Sequence, residues 1–311
     1  MRAIVLRAFA AALLLICAVA IARAAPLLDL VRFPAAEDGQ MLDALYWVPE
    51  RGTKRIVLLI PGLSGAVMGG GLHDYRPMAN ELSAKSYALL VPQLRSLNNW
   101  PYAFFDDVVK DIGGAVAFAK ERGYEEIALF GTSLGGPRIA FFMATKGDPA
   151  IRAVGFIASI KSPYLEFQIR RDASERARLD AFLAAARDLV AQGKGGQPIA
   201  FEHWFPNRHM AMTARSFISF FGREDESNAV SIKFTPQIKV PALVIHGTAD
   251  EIALRPNAEA IYESLSAAPK RDLIWVEGAK HYLTPGWIAE TYARRIAEWL
   301  AATVPGPVGG Q

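Results

Sequence analysis

The chain has 311 residues and a formal net charge of +3, with 52% hydrophobic and 21% charged residues. This composition excludes an intrinsically disordered chain, and the length is enough for one large domain or for two small ones. A single cysteine, Cys17, excludes a framework of intramolecular disulfides.

The first 24 residues have the layout of a secretory signal peptide. Arg2 and Arg7 give a basic start, and every side chain from Ala8 to Ala22 is apolar. Ala22 and Ala24 are small residues at the two positions that a signal peptidase reads. We therefore predict cleavage near Ala24 and a secreted or periplasmic protein.

Two other interpretations of this segment are an uncleaved membrane anchor and a lipoprotein signal. As a helix, the apolar run would be about 22 Å long, which is short of the ~30 Å hydrocarbon core of a bilayer. A lipoprotein signal would use Cys17, but Ile16 stands before it where that pattern has a small residue. We expect no stable membrane insertion after cleavage.

Cleavage would also change the charge and the thiol content of the chain. The three arginines of residues 1–24 account for the whole net charge of +3, so the remaining chain is formally neutral. We therefore predict no nucleic-acid partner. Cys17 would leave with the signal, which excludes a disulfide or a thiol nucleophile in the mature protein.

Beyond Pro26, short apolar runs alternate with helical patterns, which is typical of a parallel sheet covered by helices on both faces. The predicted strands are an antiparallel hairpin of residues 28–33 and 41–48, followed by residues 55–60, 87–91, 126–130, 153–157, 240–245 and 273–276. The predicted helices cover residues 75–85, 106–122, 135–144, 258–266 and 288–302.

The alternation stops between the sixth and seventh predicted strands. Residues 159–237 contain helical patterns at 175–191 and 212–221 and a glycine-rich link at 193–196, without a convincing buried strand. We interpret this segment as a helical cap that is inserted between two parts of one core, residues 25–158 and 238–303. The proline- and glycine-rich residues 304–311 are predicted to be a flexible tail.

The most specific motif is Gly131-Thr132-Ser133-Leu134-Gly135-Gly136, which lies directly between a predicted strand and a predicted helix. A nucleophilic serine needs this context, because a tight turn projects its hydroxyl above the sheet and leaves no room for side chains at the flanking glycines. The alternative is an ordinary glycine-rich loop with a capping serine. We predict that Ser133 is a nucleophile.

A serine hydroxyl needs a general base, and a third group must orient that base. His281 follows the last predicted strand, at the same edge of the sheet as Ser133, whereas the alternative is a surface histidine on a turn. Asp250 lies beyond another predicted strand and is the favoured acid; its neighbour Glu251 is the competitor, and a helix N-cap is the structural alternative.

The other histidines are interpreted differently. His246 ends a predicted strand and is expected to stabilise the loop that follows it. His73, His203 and His209 could line a pocket. None has the spacing of metal ligands, so we predict neither a catalytic metal nor a cofactor.

An oxyanion hole requires two N–H donors. Leu134, which follows the nucleophile, is the first predicted donor. Leu63, in the loop after the 55–60 strand, is the second, although this loop could be only a turn. Ser64 could contribute to the site, and the aromatic residues Trp204 and Phe205 are candidates for a substrate pocket.

Three motifs together resemble the α/β-hydrolase superfamily, in particular serine esterases and lipases: residues 131–136, His246-Gly247-Thr248-Ala249-Asp250 and Gly278-Ala279-Lys280-His281. The resemblance covers residues 28–302 and implies a mostly parallel eight-stranded sheet with a cap between its sixth and seventh strands. The chain order serine, aspartate, histidine is also that of the superfamily. One departure is Pro61-Gly62, where many relatives have His-Gly.

Ser133 distinguishes this sequence from the epoxide hydrolases and haloalkane dehalogenases of the superfamily, which have aspartate there. The resemblance therefore implies hydrolysis of a carboxylic ester, or a related acyl bond, in a small-molecule substrate. Acyl transfer and perhydrolysis by the same triad remain alternatives, as does a non-catalytic ligand-binding protein on this fold. The sequence does not predict an oligomeric state.

Overall fold

A computed structural model describes residues 25–63, 75–202, 209–281 and 286–304 of the chain. The predicted signal segment, Ser64, His73, His203, Trp204, Phe205 and residues 305–311 of the predicted tail lie outside these described residues. No helix within the described residues is long and apolar enough to cross a membrane.

Ten strands form in the described residues. Their bounds are β1 Leu27–Pro34, β2 Met41–Val48, β3 Arg55–Ile60, β4 Ala88–Pro92, β5 Glu126–Thr132, β6 Ile151–Ile157, β7 Pro198–Glu202, β8 His209–Thr213, β9 Ala242–Gly247 and β10 Arg271–Val276.

The helices alternate with these strands over most of the chain. Their bounds are α1 Arg76–Ser83, α2 Arg95–Asn98, α3 Val108–Glu121, α4 Gly135–Thr145, α5 Pro163–Arg170, α6 Ala173–Ala191, α7 Ala214–Phe221, α8 Ser231–Phe234, α9 Arg255–Ser264 and α10 Gly286–Thr303.

Eight of the strands form one sheet in the order β1-β2-β4-β3-β5-β6-β9-β10. β1 pairs with β2, and β2 with β4, in antiparallel register, and all other neighbours are parallel. The central strands are buried on both faces, which explains their continuous apolar sequences. This is the α/β-hydrolase fold, as the sequence predicts.

Helices cover both faces of the sheet. On one face, α1 and α10 pack on a cluster that includes Leu82 and Tyr292. On the other face, α3, α4 and α9 contribute Ile112, Ile139 and Ile261 to a larger cluster. Because β3, β5, β9 and β10 are parallel, the loops that follow them meet at one edge of the sheet.

The insertion lies between β6 and β9, the sixth and seventh strands of the main sheet. It is not purely helical as predicted, because β7 and β8 pair as an antiparallel hairpin. Met212, which the helical pattern includes, belongs to β8, and the helix begins at Ala214. Thr213 ends the strand and caps the helix by accepting a hydrogen bond from the Ser216 N–H.

The insertion packs on the segment between β4 and α3. The rings of Trp100 and Phe220 have centroids 4.5 Å apart, and the Phe105 N–H donates to Ser219 Oγ at 2.8 Å. These contacts place the insertion at the same end of the fold as the loops after the parallel strands.

Candidate active site

Ser133 lies on a sharp turn between β5 and α4. Its backbone φ is +53°, in the left-handed region that residues other than glycine rarely adopt. The Ser133 N–H donates to the Ile157 carbonyl at 3.0 Å, and the Gly136 N–H donates to the Ser133 carbonyl at 3.0 Å. The turn is therefore held from a neighbouring strand and from the helix that follows.

The glycines of this motif are required by close backbone contacts. A Cβ atom on Gly131 would lie 2.3 Å from the Gly135 carbonyl oxygen, and one on Gly135 would lie 2.2 Å from the Ile60 carbonyl oxygen. A side chain at either position would clash with backbone atoms, which cannot move aside as the end of a flexible side chain can. The glycines at positions 131 and 135 are therefore explained by the lack of space for side chains in this turn.

His281 lies beside Ser133, although 148 residues separate them in sequence. His281 Nε2 is 3.0 Å from Ser133 Oγ, and His281 Nδ1 is 2.9 Å and 3.1 Å from the two carboxylate oxygens of Asp250. An ionised carboxylate only accepts hydrogen bonds, so the proton of neutral His281 lies on Nδ1. Nε2 is then the ring nitrogen that can accept the serine hydroxyl proton.

Asp250 is held in the loop after β9. Its Oδ1 atom accepts hydrogen bonds from the N–H groups of Ile252 at 2.9 Å and Ala253 at 2.8 Å. Its neighbour Glu251 is exposed to solvent, whereas Asp250 is buried. Of the two carboxylates in this loop, the structure therefore places Asp250 against His281.

The two loops that carry the acid and the histidine are joined by backbone contacts. The Ala249 N–H donates to the Ala279 carbonyl at 3.1 Å, and the Gly278 N–H donates to Thr248 Oγ1 at 2.9 Å. A Cβ atom on Gly247 would lie 2.1 Å from the Ala279 carbonyl oxygen. These contacts set the relative position of the two side chains.

His246 is fully buried behind the same carboxylate. Its Nε2 atom lies 2.6 Å from the Ala253 carbonyl oxygen and 3.5 Å from Asp250 Oδ2. Because a carbonyl only accepts, neutral His246 carries its proton on Nε2. Burial lowers the pKa of His246, and the Asp250 charge only partly opposes this shift. The hydrogen bond from His246 Nε2 to the Ala253 carbonyl stabilises the loop after β9, which is the role that the sequence favours for His246.

The two predicted oxyanion donors flank Ser133. Leu134 is the next residue in the chain, and the loop of Leu63 reaches Ser133 through Gly62. A Cβ atom on Gly62 would lie only 2.8 Å from Ser133 Cβ. Within the described parts of the chain, no acceptor takes the N–H of either leucine.

A buried charged network, which no sequence motif predicts, lies below this loop. Arg138 on α4 is 1% exposed, and its Nη1 atom donates to the carbonyl oxygens of Pro61 at 2.7 Å and Gly62 at 3.2 Å. Burial lowers the pKa of Arg138 to about 10, against the attraction of Asp111, so it remains a cation at neutral pH. The detectable signal is an arginine on the apolar face of a helix that follows the serine motif.

Asp111 is itself buried and accepts from Arg95 Nε at 2.6 Å and from the Arg95 N–H at 2.9 Å. Arg95 also donates to Asp38 at 2.7 Å and 3.1 Å. Burial opposes the charge on Arg95, but its hydrogen bonds to Asp38 and Asp111 outweigh that effect and raise its pKa. A chain of charges thus extends from the surface to the interior beside α4.

The structure limits which residues of the insertion can contact a substrate. Four of the large apolar side chains there are at most 2% exposed and pack in the core: Met212, Phe217, Phe220 and Phe221. The predicted pocket residues Ser64, Trp204 and Phe205 lie outside the described residues. Within those that are described, no three His, Cys, Asp or Glu residues are grouped as metal ligands would be.

No family model matches the chain. Solved structures do: an esterase domain from Rhodothermus marinus has 16% identity and a TM-score of 0.62, covering 89% of this chain and 98% of that one. Est1E from Butyrivibrio proteoclasticus, with bound ferulic acid, has 15% identity and a TM-score of 0.63, covering 88% and 99%. A monoacylglycerol lipase from Paleococcus ferrophilus has 20% identity and a TM-score of 0.57, covering 89% and 99%. All three share the fold of this chain.

Proposed function

We propose that this chain, which has the α/β-hydrolase fold, is an exported serine hydrolase that cleaves a carboxylic ester through an acyl-serine intermediate. The observation that carries the proposal is the continuous contact from Ser133 Oγ to His281 Nε2 and from His281 Nδ1 to Asp250. The esterases and the lipase that share the fold support the same reaction class.

The first half of the reaction transfers the acyl group to the enzyme. His281 Nε2 takes the proton of the Ser133 hydroxyl while the oxygen attacks the ester carbonyl carbon, and the carbonyl oxygen becomes an oxyanion. The Asp250 carboxylate stabilises the imidazolium that forms. The tetrahedral intermediate then collapses, and the departing alkoxide takes its proton from His281.

The second half repeats these steps with water. His281 removes a proton from water, the hydroxide attacks the acyl-serine, and Ser133 leaves with the proton that His281 returns. The products are a carboxylic acid and an alcohol. In both halves, the N–H groups of Leu63 and Leu134 would donate to the oxyanion, where preorganised donors lower the barrier.

The substrate would be a small acyl compound, and no cofactor takes part in these steps. The ferulic acid bound to Est1E suggests esters of aromatic carboxylic acids among the first compounds to test. The proposal of export rests on the pattern of residues 1–24. N-terminal sequencing of the secreted protein tests it: a first residue near Ala25 is expected, and retention of residue 1 would contradict cleavage.

A fluorophosphonate probe tests the mechanism, because it reacts with an activated serine. We expect the wild type to be labelled and to hydrolyse p-nitrophenyl butyrate, Ser133→Ala to lose both activities, and His281→Ala to lose most of the turnover. If a folded wild type is neither labelled nor active, a ligand-binding role on the same fold replaces this proposal. Adding an alcohol or hydrogen peroxide as a competing acceptor distinguishes hydrolysis from acyl transfer and perhydrolysis.

A further inference from the structure

Arg138 has an unusual environment for a buried cation. It lies in the first turn of α4, five residues after Ser133, and its hydrogen bonds go to uncharged oxygens. Nη1 donates to the carbonyls of Pro61 and Gly62, and Nη2 donates to Ser96 Oγ at 3.1 Å. Burying a guanidinium costs free energy unless its hydrogen bonds are well satisfied, so these contacts hold the loop after β3 firmly.

The planarity of the peptide bond links these carbonyls to the opposite side of the loop. In a trans peptide, the N–H of one residue points away from the carbonyl of the residue before it. The Pro61 carbonyl contacts Arg138, and the Gly62 N–H in the same peptide donates to Thr132 Oγ1 at 3.1 Å, next to Ser133. The loop therefore has Arg138 on one side and the serine turn on the other.

The next peptide has the same orientation. The Gly62 carbonyl also contacts Arg138, so the Leu63 N–H points away from Arg138, as the Gly62 N–H does. In an extended strand, successive carbonyls would point to opposite sides. A single guanidinium nitrogen that binds two successive carbonyls thus turns two successive N–H groups toward the side where Ser133 lies.

We propose that Arg138 is a positioning residue that orients the Leu63 N–H for the oxyanion through its hydrogen bonds to the Pro61 and Gly62 carbonyls. This inference rests on the function proposed above. A purely structural role would make Arg138 important for stability alone. The positioning role means that Arg138 also affects the transition state, because the Leu63 N–H must be oriented to donate when the oxyanion forms.

The test compares Arg138→Gln and Arg138→Lys with Tyr124→Phe. Lysine keeps the positive charge but lacks the planar fork, so it separates charge from geometry. The Tyr124→Phe control removes a different buried hydrogen bond, between the Tyr124 and Tyr46 hydroxyls at 2.5 Å, in another part of the core. Active sites are counted by exhaustive fluorophosphonate labelling, so that rates refer to folded protein only.

For Arg138→Gln, we expect kcat on p-nitrophenyl butyrate to fall about 10- to 100-fold with KM within about twofold, because the change affects one oxyanion donor indirectly. Affinity for a boronic acid that forms a tetrahedral serine adduct should fall by a similar factor. Arg138→Lys should recover only part of both losses, and Tyr124→Phe should lower the melting temperature without changing kcat.

Equal kcat and boronate affinity in Arg138→Gln and wild type, per labelled site, would overturn the positioning role and leave the proposed hydrolase intact. A wild type that is neither labelled nor active would overturn both. If the Arg138 variants do not fold, Ser96→Ala decides, because it removes one acceptor of the guanidinium. For Ser96→Ala, we expect a several-fold lower kcat and weaker boronate binding. Wild-type values of both would refute the inference.

Discussion

His281 Nδ1 lies 2.9 Å from Asp250 Oδ2. The other carboxylate oxygen of Asp250, Oδ1, already accepts two backbone hydrogen bonds. The carboxylate thus has a set orientation before any substrate binds. Its position determines which imidazole nitrogen carries the proton, and so whether the other nitrogen can accept from Ser133.

Replacing this acid should disable the base. In Asp250→Asn, the amide can donate to His281 Nδ1 and favour the wrong tautomer, so we expect kcat to fall about 10³- to 10⁴-fold. The measurement is hydrolysis of p-nitrophenyl butyrate per folded protein.

The neighbouring carboxylate provides the matched control for that experiment. Glu251 is one residue away and exposed, so Glu251→Gln should leave kcat within about twofold, since a surface substitution away from the site changes little. The reverse result, with Glu251→Gln inactive and Asp250→Asn active, would reassign the acid.

The turn at Ser133 should store strain that glycine relieves. Ser133→Gly and Ser133→Ala both remove the nucleophile, but only glycine adopts a φ near +53° without steric cost. We expect the glycine variant to be more stable than the alanine variant by about 1 kcal/mol in urea unfolding. Equal stability of the two variants would show that the turn is unstrained.

Acid should destabilise the folded protein through His246. Burial lowers the pKa of His246 in the folded state, whereas the unfolded chain binds a proton there near the ordinary pKa of about 6.5. The unfolded state therefore binds more protons as the pH falls below about 7, and the free energy of unfolding decreases.

This dependence can be measured as the melting temperature between pH 7.5 and 5. His246→Gln keeps a donor for the Ala253 carbonyl but does not titrate, so its slope should be shallower than that of the wild type. Tyr124→Phe should be less stable at every pH with the wild-type slope. A His246→Gln slope as steep as that of the wild type would assign the acid sensitivity to other groups.

Breaking the buried pair of Arg95 and Asp111 should cost far more than breaking a surface pair. Asp111→Ala leaves a mostly buried guanidinium with Asp38 as its remaining carboxylate partner, and we expect a loss of about 3–5 kcal/mol. Asp43→Ala breaks an exposed pair with Arg32, and solvent screening should leave the urea midpoint close to that of the wild type. Similar urea midpoints for Asp111→Ala and Asp43→Ala would contradict the expectation that a buried ion pair costs more to break than an exposed one.

Local sterics and hydrophobic periodicity made most of the fold predictable from the sequence. The eight strands of the main sheet, the helices between them and the place of the insertion follow from apolar runs and glycine turns. The turn at Ser133 was also predictable, because residues close in sequence create the contact between Gly131 and Gly135. The roles of Ser133, Asp250 and His281 in a reaction remain predictions.

The tertiary structure decided what depends on partners distant in sequence. The hairpin of β7 and β8 is set by cross-strand pairing, which the helical pattern around Met212 conceals. Asp250 and Glu251 are adjacent carboxylates in an aperiodic loop, so only folding could place one of them against His281. Arg138 binds carbonyls 76 and 77 residues away, and a buried cation on an apolar helix face has no local sequence pattern that reveals its partner.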